Sequence, residues 1–213
     1  MDLVQHTKNA IMLVLHNQSK LTKDEFNMEG MSGMRGRMFL NNMCSVSDVK
    51  YLEIGLWKGS TFCSALKDNA VRALGIDNWS QFHGPKDECL KNIERYSGSN
   101  KVEIIDADCF SIDTSKFNEK FNVYFYDGDH TADSQEKALT YFDSILDDTF
   151  VAIIDDYKDD DVKLGTQNAV KKLNYTTLFS HEFIVPHGIE DNVGWWNGML
   201  IAVYRKFDPV WSE

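Results

Sequence analysis

Proline is scarce, with three in 213 residues. So small a supply of the residue that interrupts helices and central strands excludes a proline-rich linker and fits one continuous folded unit. The four cysteines, Cys44, Cys63, Cys89 and Cys109, form no Cys-x-x-Cys pair. That excludes the common zinc and dithiol motifs. Scattered among apolar segments, they read as buried free thiols of a reducing compartment, so a cytoplasmic location is expected. No apolar stretch approaches the roughly 20 residues that cross a bilayer, and no membrane partner is expected. There is also no run of Lys or Arg. These residues total 22 against 33 Asp and Glu, a formal charge of −11. An acidic surface repels a phosphate backbone, so nucleic acid is not expected as a partner either.

What is present is a rhythm. Apolar runs of strand length, rich in β-branched and aromatic residues, occupy positions 49–54, 71–76, 102–105, 121–126 and 150–154. Helical patterns separate most of them. The clearest covers 131–146, where Ala138, Phe142, Ile145 and Leu146 share a face and Asp133 with Glu136 resembles a capping arrangement. Strands alternating with helices imply right-handed βαβ units and a parallel sheet. Two longer runs, 176–185 and 196–204, are joined by a segment without helical periodicity and are expected to pair antiparallel. Ahead of the sheet, residues 3–16 carry Val4, Ile11, Met12 and Leu15 on one helical face. A Met- and Gly-rich stretch over 28–37 reads as a mobile loop, and 37–44 as a further helix. The expected division is an N-terminal helical extension or lid over 1–48 and an α/β domain over 49–213.

Acidic residues fall where the strands end. Glu53 closes the first run, Asp77 follows the second, and Asp106 and Asp108 follow the third. Asp127 and Asp129 follow the fourth, and Asp155 and Asp156 the fifth. Open α/β sheets bind ligands at the carboxyl ends of their strands. Asp is also common in turns and caps, but so many like charges at one edge repel each other unless cations or hydroxyl donors fill the site. Between the first run and its helix lies Glu53-Ile54-Gly55-Leu56-Trp57-Lys58-Gly59-Ser60-Thr61. Gly55 permits a tight turn and Gly59 a close ligand approach. Leu56-Trp57 takes the place of the middle glycine of a dinucleotide fingerprint, which argues against a pyrophosphate cofactor.

Glu53-x-Gly55-x-x-x-Gly59 after a first strand resembles the first motif of class I S-adenosylmethionine-dependent methyltransferases. The resemblance covers about residues 49–205. It implies a Rossmann-like doubly wound α/β sheet of seven strands, order 3-2-1-4-5-7-6, with the last strand antiparallel. It places the methionine part of S-adenosylmethionine against Glu53, Gly55, Gly59 and Ser60, the ribose against Asp77 and Asn78, and the adenine near Asp108 and Cys109, with Asp127 at the strand end beside them. Tyr126-Asp127-Gly128-Asp129-His130 and Ile153-Ile154-Asp155-Asp156-Tyr157 resemble the metal-dependent sugar O-methyltransferases of the macrocin and aminocoumarin type, and more distantly catechol O-methyltransferases. That narrower resemblance implies a Mg²⁺ held by Asp127, Asp155 and Asp156. It makes Asp129 the general base, with His130 a second candidate for catalysis or ligation, or a helix cap. A small-molecule hydroxyl would be the acceptor, and a homodimer is one assembly left open.

Three rival readings stand beside this one. Asp127-Gly128-Asp129-His130-Thr131 also fits the nucleophile motif of haloacid dehalogenase-like phosphatases, with Asp127 attacking a phosphate. That motif normally opens its domain, whereas here about half the chain precedes it. A methyltransferase fold that only binds a partner is the second. A metal-independent enzyme acting on nitrogen or carbon is the third. Trp195-Trp196 could line an acceptor pocket, although core packing is the commoner use of tryptophan.

Overall fold

All seven strands fall on the apolar runs read above, and the residues of the central ones alternate between two cores. The structure, a computed structural model, describes residues 1–185 and 193–206. In chain order the strands are β1 (Lys50–Ile54), β2 (Arg72–Asp77), β3 (Lys101–Asp106), β4 (Phe121–Tyr126), β5 (Leu146–Asp155), β6 (Thr176–Phe183) and β7 (Met199–Arg205). The helices are α1 (Leu3–Leu15), α2 (Lys23–Phe26), α3 (Met34–Met43), α4 (Ser60–Leu66), α5 (Lys86–Ser97), α6 (Ala132–Thr140) and α7 (Asp160–Lys172). The strands form one sheet in the order β3-β2-β1-β4-β5-β7-β6. All neighbours are parallel except β7, which runs antiparallel to both β5 and β6. The expected topology is therefore the observed one.

Successive strand residues face opposite sides, and both sides are covered. On one, Tyr51, Val123, Phe125, Val151, Ile153 and Ile201 pack with residues of α1, α3, α4 and α5. On the other, Leu52, Ile54, Tyr124, Tyr126, Ala152 and Ile154 pack with Ala138 and Leu139 of α6 and Val162 and Ala169 of α7. Burial on both faces explains why the central strands read as continuous apolar runs rather than alternating ones. β6, at the sheet's edge, is exposed along most of its length.

Several local readings need correction. The buried face of α1 is Leu3, Thr7, Ala10, Ile11 and Val14, while Met12 and Leu15 lie in solvent. The 131–146 pattern is not one helix. α6 ends at Thr140, a single 3₁₀ turn spans Asp143–Ile145, and Leu146 already begins β5. Phe142, Ile145 and Leu146 are buried all the same, because the turn folds them under the sheet. The cap of α6 is Thr131, which accepts from the Ser134 amide; neither the Asp133–Glu136 pair nor His130 fills that role. The 28–37 stretch is not all loop, since α3 starts at Met34. Residues 186–192 of the connection between β6 and β7 lie outside the described residues. Among those described, no helix is long and apolar enough to cross a membrane.

Candidate active site

Gly55 turns the chain out of β1 with φ +87°, and a Cβ there would meet the Asp127 carbonyl oxygen at 1.9 Å. Only glycine permits this approach of the β1 loop to the end of β4. The loop that follows is held by Asp77 at the end of β2. Its Oδ2 accepts from the amides of Leu56 (2.7 Å) and Trp57 (2.8 Å), and its Oδ1 from the amide of Trp79 (2.6 Å). Trp57 is in the left-handed region at φ +47°, a rare conformation for a bulky residue. The Asp77 contacts, with a hydrogen bond from Trp79 Nε1 to the Trp57 carbonyl (2.8 Å), fix it there. Gly59, at φ +82°, ends the loop and precedes Ser60, the first residue of α4.

Glu53 lies beneath this loop and is fully buried. Thr61 Oγ1 donates to its Oε1 at 2.5 Å and the Tyr51 hydroxyl donates to Oε2. Burial pushes its carboxyl up to about 8, against the lowering effect of the two hydroxyls. Both oxygens are thus engaged by the chain itself, and Glu53 acts on the site through the loop it supports.

The acidic groups of β4 and β5 converge beside it. Asp127, His130 and Asp156 each offer a ligand atom, and these atoms lie within 4.8 Å of one another. His130 Nε2 stands 3.1 Å from Asp156 Oδ2. Asp156 Oδ1 is buried without a hydrogen-bond partner. Asp156 takes φ +51°, which breaks the strand alternation after Asp155. Burial, then the charges of Asp156, Glu53 and Asp77, push the Asp127 carboxyl well above the usual carboxylate range. Asp155 is buried and shifted the same way by burial and by Asp127 and Asp156. A site that holds several carboxyls against their own repulsion has the electrostatics of a cation site. The constellation includes His130, and Asp155 is not one of its three members.

Asp129 lies at the exposed rim. Its Oδ2 accepts from Thr131 Oγ1 at 2.6 Å, and hydrogen bonds from Thr131 and Ser134 hold its carboxyl below the usual range. Asn78 is exposed and turns back to accept from the Ser80 amide. Asp108 is exposed and caps a 3₁₀ turn by accepting from the Phe110 amide, with Cys109 half-buried beside it. Trp195 belongs to the core, stacked 3.6 Å from Phe183.

Sequence reasoning gave no role to four individual contributors, Trp57, Trp79, Lys58 and Ser32. Trp79 and Trp57 frame the Asp77 turn, and their signal was two tryptophans flanking loop residues at strand ends. Lys58 ties the loop to Glu29 (2.7 Å) and Glu88 (3.1 Å). The segment before α3 lies against the loop's end: Ser32 Oγ is 3.2 Å from Ser60 Oγ, a contact that no local pattern announces.

Residues 52–157 match the family model described as a methyltransferase domain. The chain is similar in structure to an O-methyltransferase from Bacillus cereus solved in complex with SAH, at 16% identity and TM-score 0.55, covering 92% of this chain and 91% of that one. It is similar to TrmN from Thermus thermophilus at 10% identity and TM-score 0.59, covering 86% of this chain but 52% of that one, so it spans about half the length of that protein. It is similar also to a ribosomal protein L11 methylase from Lactobacillus delbrueckii subsp. bulgaricus, at 13% identity and TM-score 0.52, covering 81% and 78%. No match is found among curated proteins. At these identities the neighbours show the fold, and their different acceptors leave the choice of substrate to the site.

Proposed function

We propose that the chain is a class I S-adenosylmethionine-dependent methyltransferase and, more narrowly, a divalent-metal-dependent O-methyltransferase acting on a small-molecule hydroxyl, of sugar or catechol type. The observation that carries the metal is the Asp127–His130–Asp156 constellation with the orphaned Oδ1 of Asp156. Two carboxylates and an imidazole are a donor set for a divalent cation; the carboxylates suit the Mg²⁺ expected from the sequence, and the imidazole extends the choice to transition metals such as Mn²⁺ or Zn²⁺. Asp127, His130 and Asp156 would hold it, and the buried Asp155 carboxyl beside them is a further candidate ligand. Such an ion orients neighbouring oxygens of an acceptor and lowers the pKa of a bound hydroxyl.

The chain's own groups divide the remaining work. The Gly55–Gly59 loop and Asp77 would receive the cofactor, whose sulfonium the surrounding carboxyls favour. Asp77 uses three acceptor sites on backbone amides, and a carboxylate retains a further lone pair for a ribose hydroxyl. Asp129 would take the acceptor's proton. Its lowered pKa keeps it ionised but makes it a weak base, which suffices only where the hydroxyl is itself made more acidic. The phosphatase reading does not fit the fold: Asp127 follows the fourth strand of a sheet in the methyltransferase order, inside the matched residues.

Calorimetric titration with S-adenosylmethionine and with Mg²⁺, separately and together, tests both parts. Cofactor binding without any Mg²⁺ binding would leave a metal-independent methyltransferase. Binding of neither by folded protein would remove the reading.

A further inference from the structure

Arg37 is the one buried cation among the described residues, exposed by 3%. Its guanidinium donates to the carbonyls of Glu25 (3.0 Å), Met28 (2.8 Å) and Gly30 (3.3 Å) and to the hydroxyl of Ser32 (2.9 Å). Among the described residues no carboxylate comes within ion-pair distance of it. Burial lowers its pKa to about 10, so it keeps its charge at neutral pH. A buried charge answered only by dipoles is costly unless something compensates it.

Its position says what could. The residues it grips lie against the end of the β1–α4 loop. Gly30 is so close to Ser60 that a Cβ would lie 1.9 Å from Ser60 Oγ and 2.6 Å from Arg37 Nη2. Ser32 bridges the two, bonded to Arg37 on one side and 3.2 Å from Ser60 Oγ on the other. The strand-end edge nearby is otherwise acidic, with Glu53, Asp77, Asp127, Asp155 and Asp156. A ligand carrying both a cationic centre and a carboxylate would be drawn with its carboxylate toward Arg37 and its cation toward the acids.

We propose that Arg37 is a positioning residue for the amino-acid end of the cofactor: it holds Gly30 and Ser32 against Ser60, and its charge selects a ligand that brings a carboxylate to that place. The proposal rests on the methyltransferase reading above. Arg37 acts through Ser32 and Gly30 and is not itself a catalytic residue.

The test compares S-adenosylmethionine with its decarboxylated form, which keeps the sulfonium and the amine. Affinities are measured by calorimetry on wild type, Arg37→Lys, Arg37→Gln and Ser32→Ala, each checked for folding by circular dichroism. Wild type is expected to prefer the carboxylated ligand by about tenfold, the scale of a charge–charge attraction across several ångströms of a partly buried site. Arg37→Gln should bring the two affinities close together, mainly by weakening S-adenosylmethionine. Arg37→Lys should keep part of the preference, and Ser32→Ala should reduce it. Equal weakening of both ligands in Arg37→Gln would assign Arg37 a purely structural role and overturn the proposal. If Arg37→Gln does not fold, an unchanged preference in Ser32→Ala together with Arg37→Lys overturns it. Wild type that binds both ligands equally also overturns it while leaving the methyltransferase reading intact. Wild type that binds neither removes that reading first.

Discussion

The carbonyl oxygen of Asp127 occupies the space that a Cβ on Gly55 would need, 1.9 Å from its ideal position. The ends of β1 and β4 are thereby locked together at the edge where the acidic groups meet. Gly55→Ala adds a clash with backbone to a φ of +87° and should destabilise the fold by about 3 kcal/mol or more. Urea unfolding reads it, and a loss below about 1 kcal/mol would mean that the loop relaxes freely.

Buried carboxyls make stability depend on pH. Glu53 sits at about 8 in the fold against 4.5 unfolded. The folded state therefore holds this proton more tightly, and its contribution is fully present below about pH 4.5 and lost as pH rises toward 8. Asp127 and Asp155 shift in the same direction. Thermal melts without metal should show Tm falling from pH 5 to pH 8. Glu53→Gln should flatten the slope; a slope unchanged by it would place the titration elsewhere.

A divalent cation should reverse that trend, because it binds the ionised cluster. Mg²⁺ is expected to raise Tm more at pH 8 than at pH 5. Asp156→Asn and His130→Ala should each weaken Mg²⁺ binding by about tenfold or more. Equal Mg²⁺ stabilisation of wild type and both variants would exclude the Asp127–His130–Asp156 site.

Asp77 supports the loop as well as offering itself to a ligand. Asp77→Ala leaves the amides of Leu56, Trp57 and Trp79 without their acceptor. Cofactor affinity should fall by at least about tenfold, and hydrogen exchange at residues 55–59 should quicken. Weaker binding with unchanged exchange would confine Asp77 to ligand contact.

Asp129→Asn should lower turnover by about a hundredfold, the scale of general-base catalysis, while sparing cofactor and metal affinity. The acid limb of the pH–rate profile should disappear with it. Retained turnover would shift the proton to another acceptor.

The central strands were legible because both of their faces are buried, whereas their order was what the resemblance to class I methyltransferases implied. Runs such as 121–126 could then only be interior strands, and β4 has those very bounds. The glycine loop was legible because a positive φ beside a backbone carbonyl leaves no other residue type. The buried face of α1 was misread because Met12 and Leu15 are apolar, yet both stand half-exposed. The 131–146 pattern was misread because a helix followed by a 3₁₀ turn buries the same residues as one continuous helix.

The sequence by itself determined the sheet, the loop from Glu53 to Gly59 and the presence of an acid at every parallel strand end, since these depend on local periodicity and residue type. Only the tertiary structure decided which acids meet. A left-handed turn at Asp156 and a loop at Asp127–His130 bring two carboxylates and an imidazole together, while Asp129 is tied to Thr131, the cap of α6, and Glu53 is sealed beneath its own loop. It also brought Arg37 from the N-terminal extension to Ser60. Distances between groups on different elements are set by how helices pack across the sheet, and no local pattern in the chain encodes them.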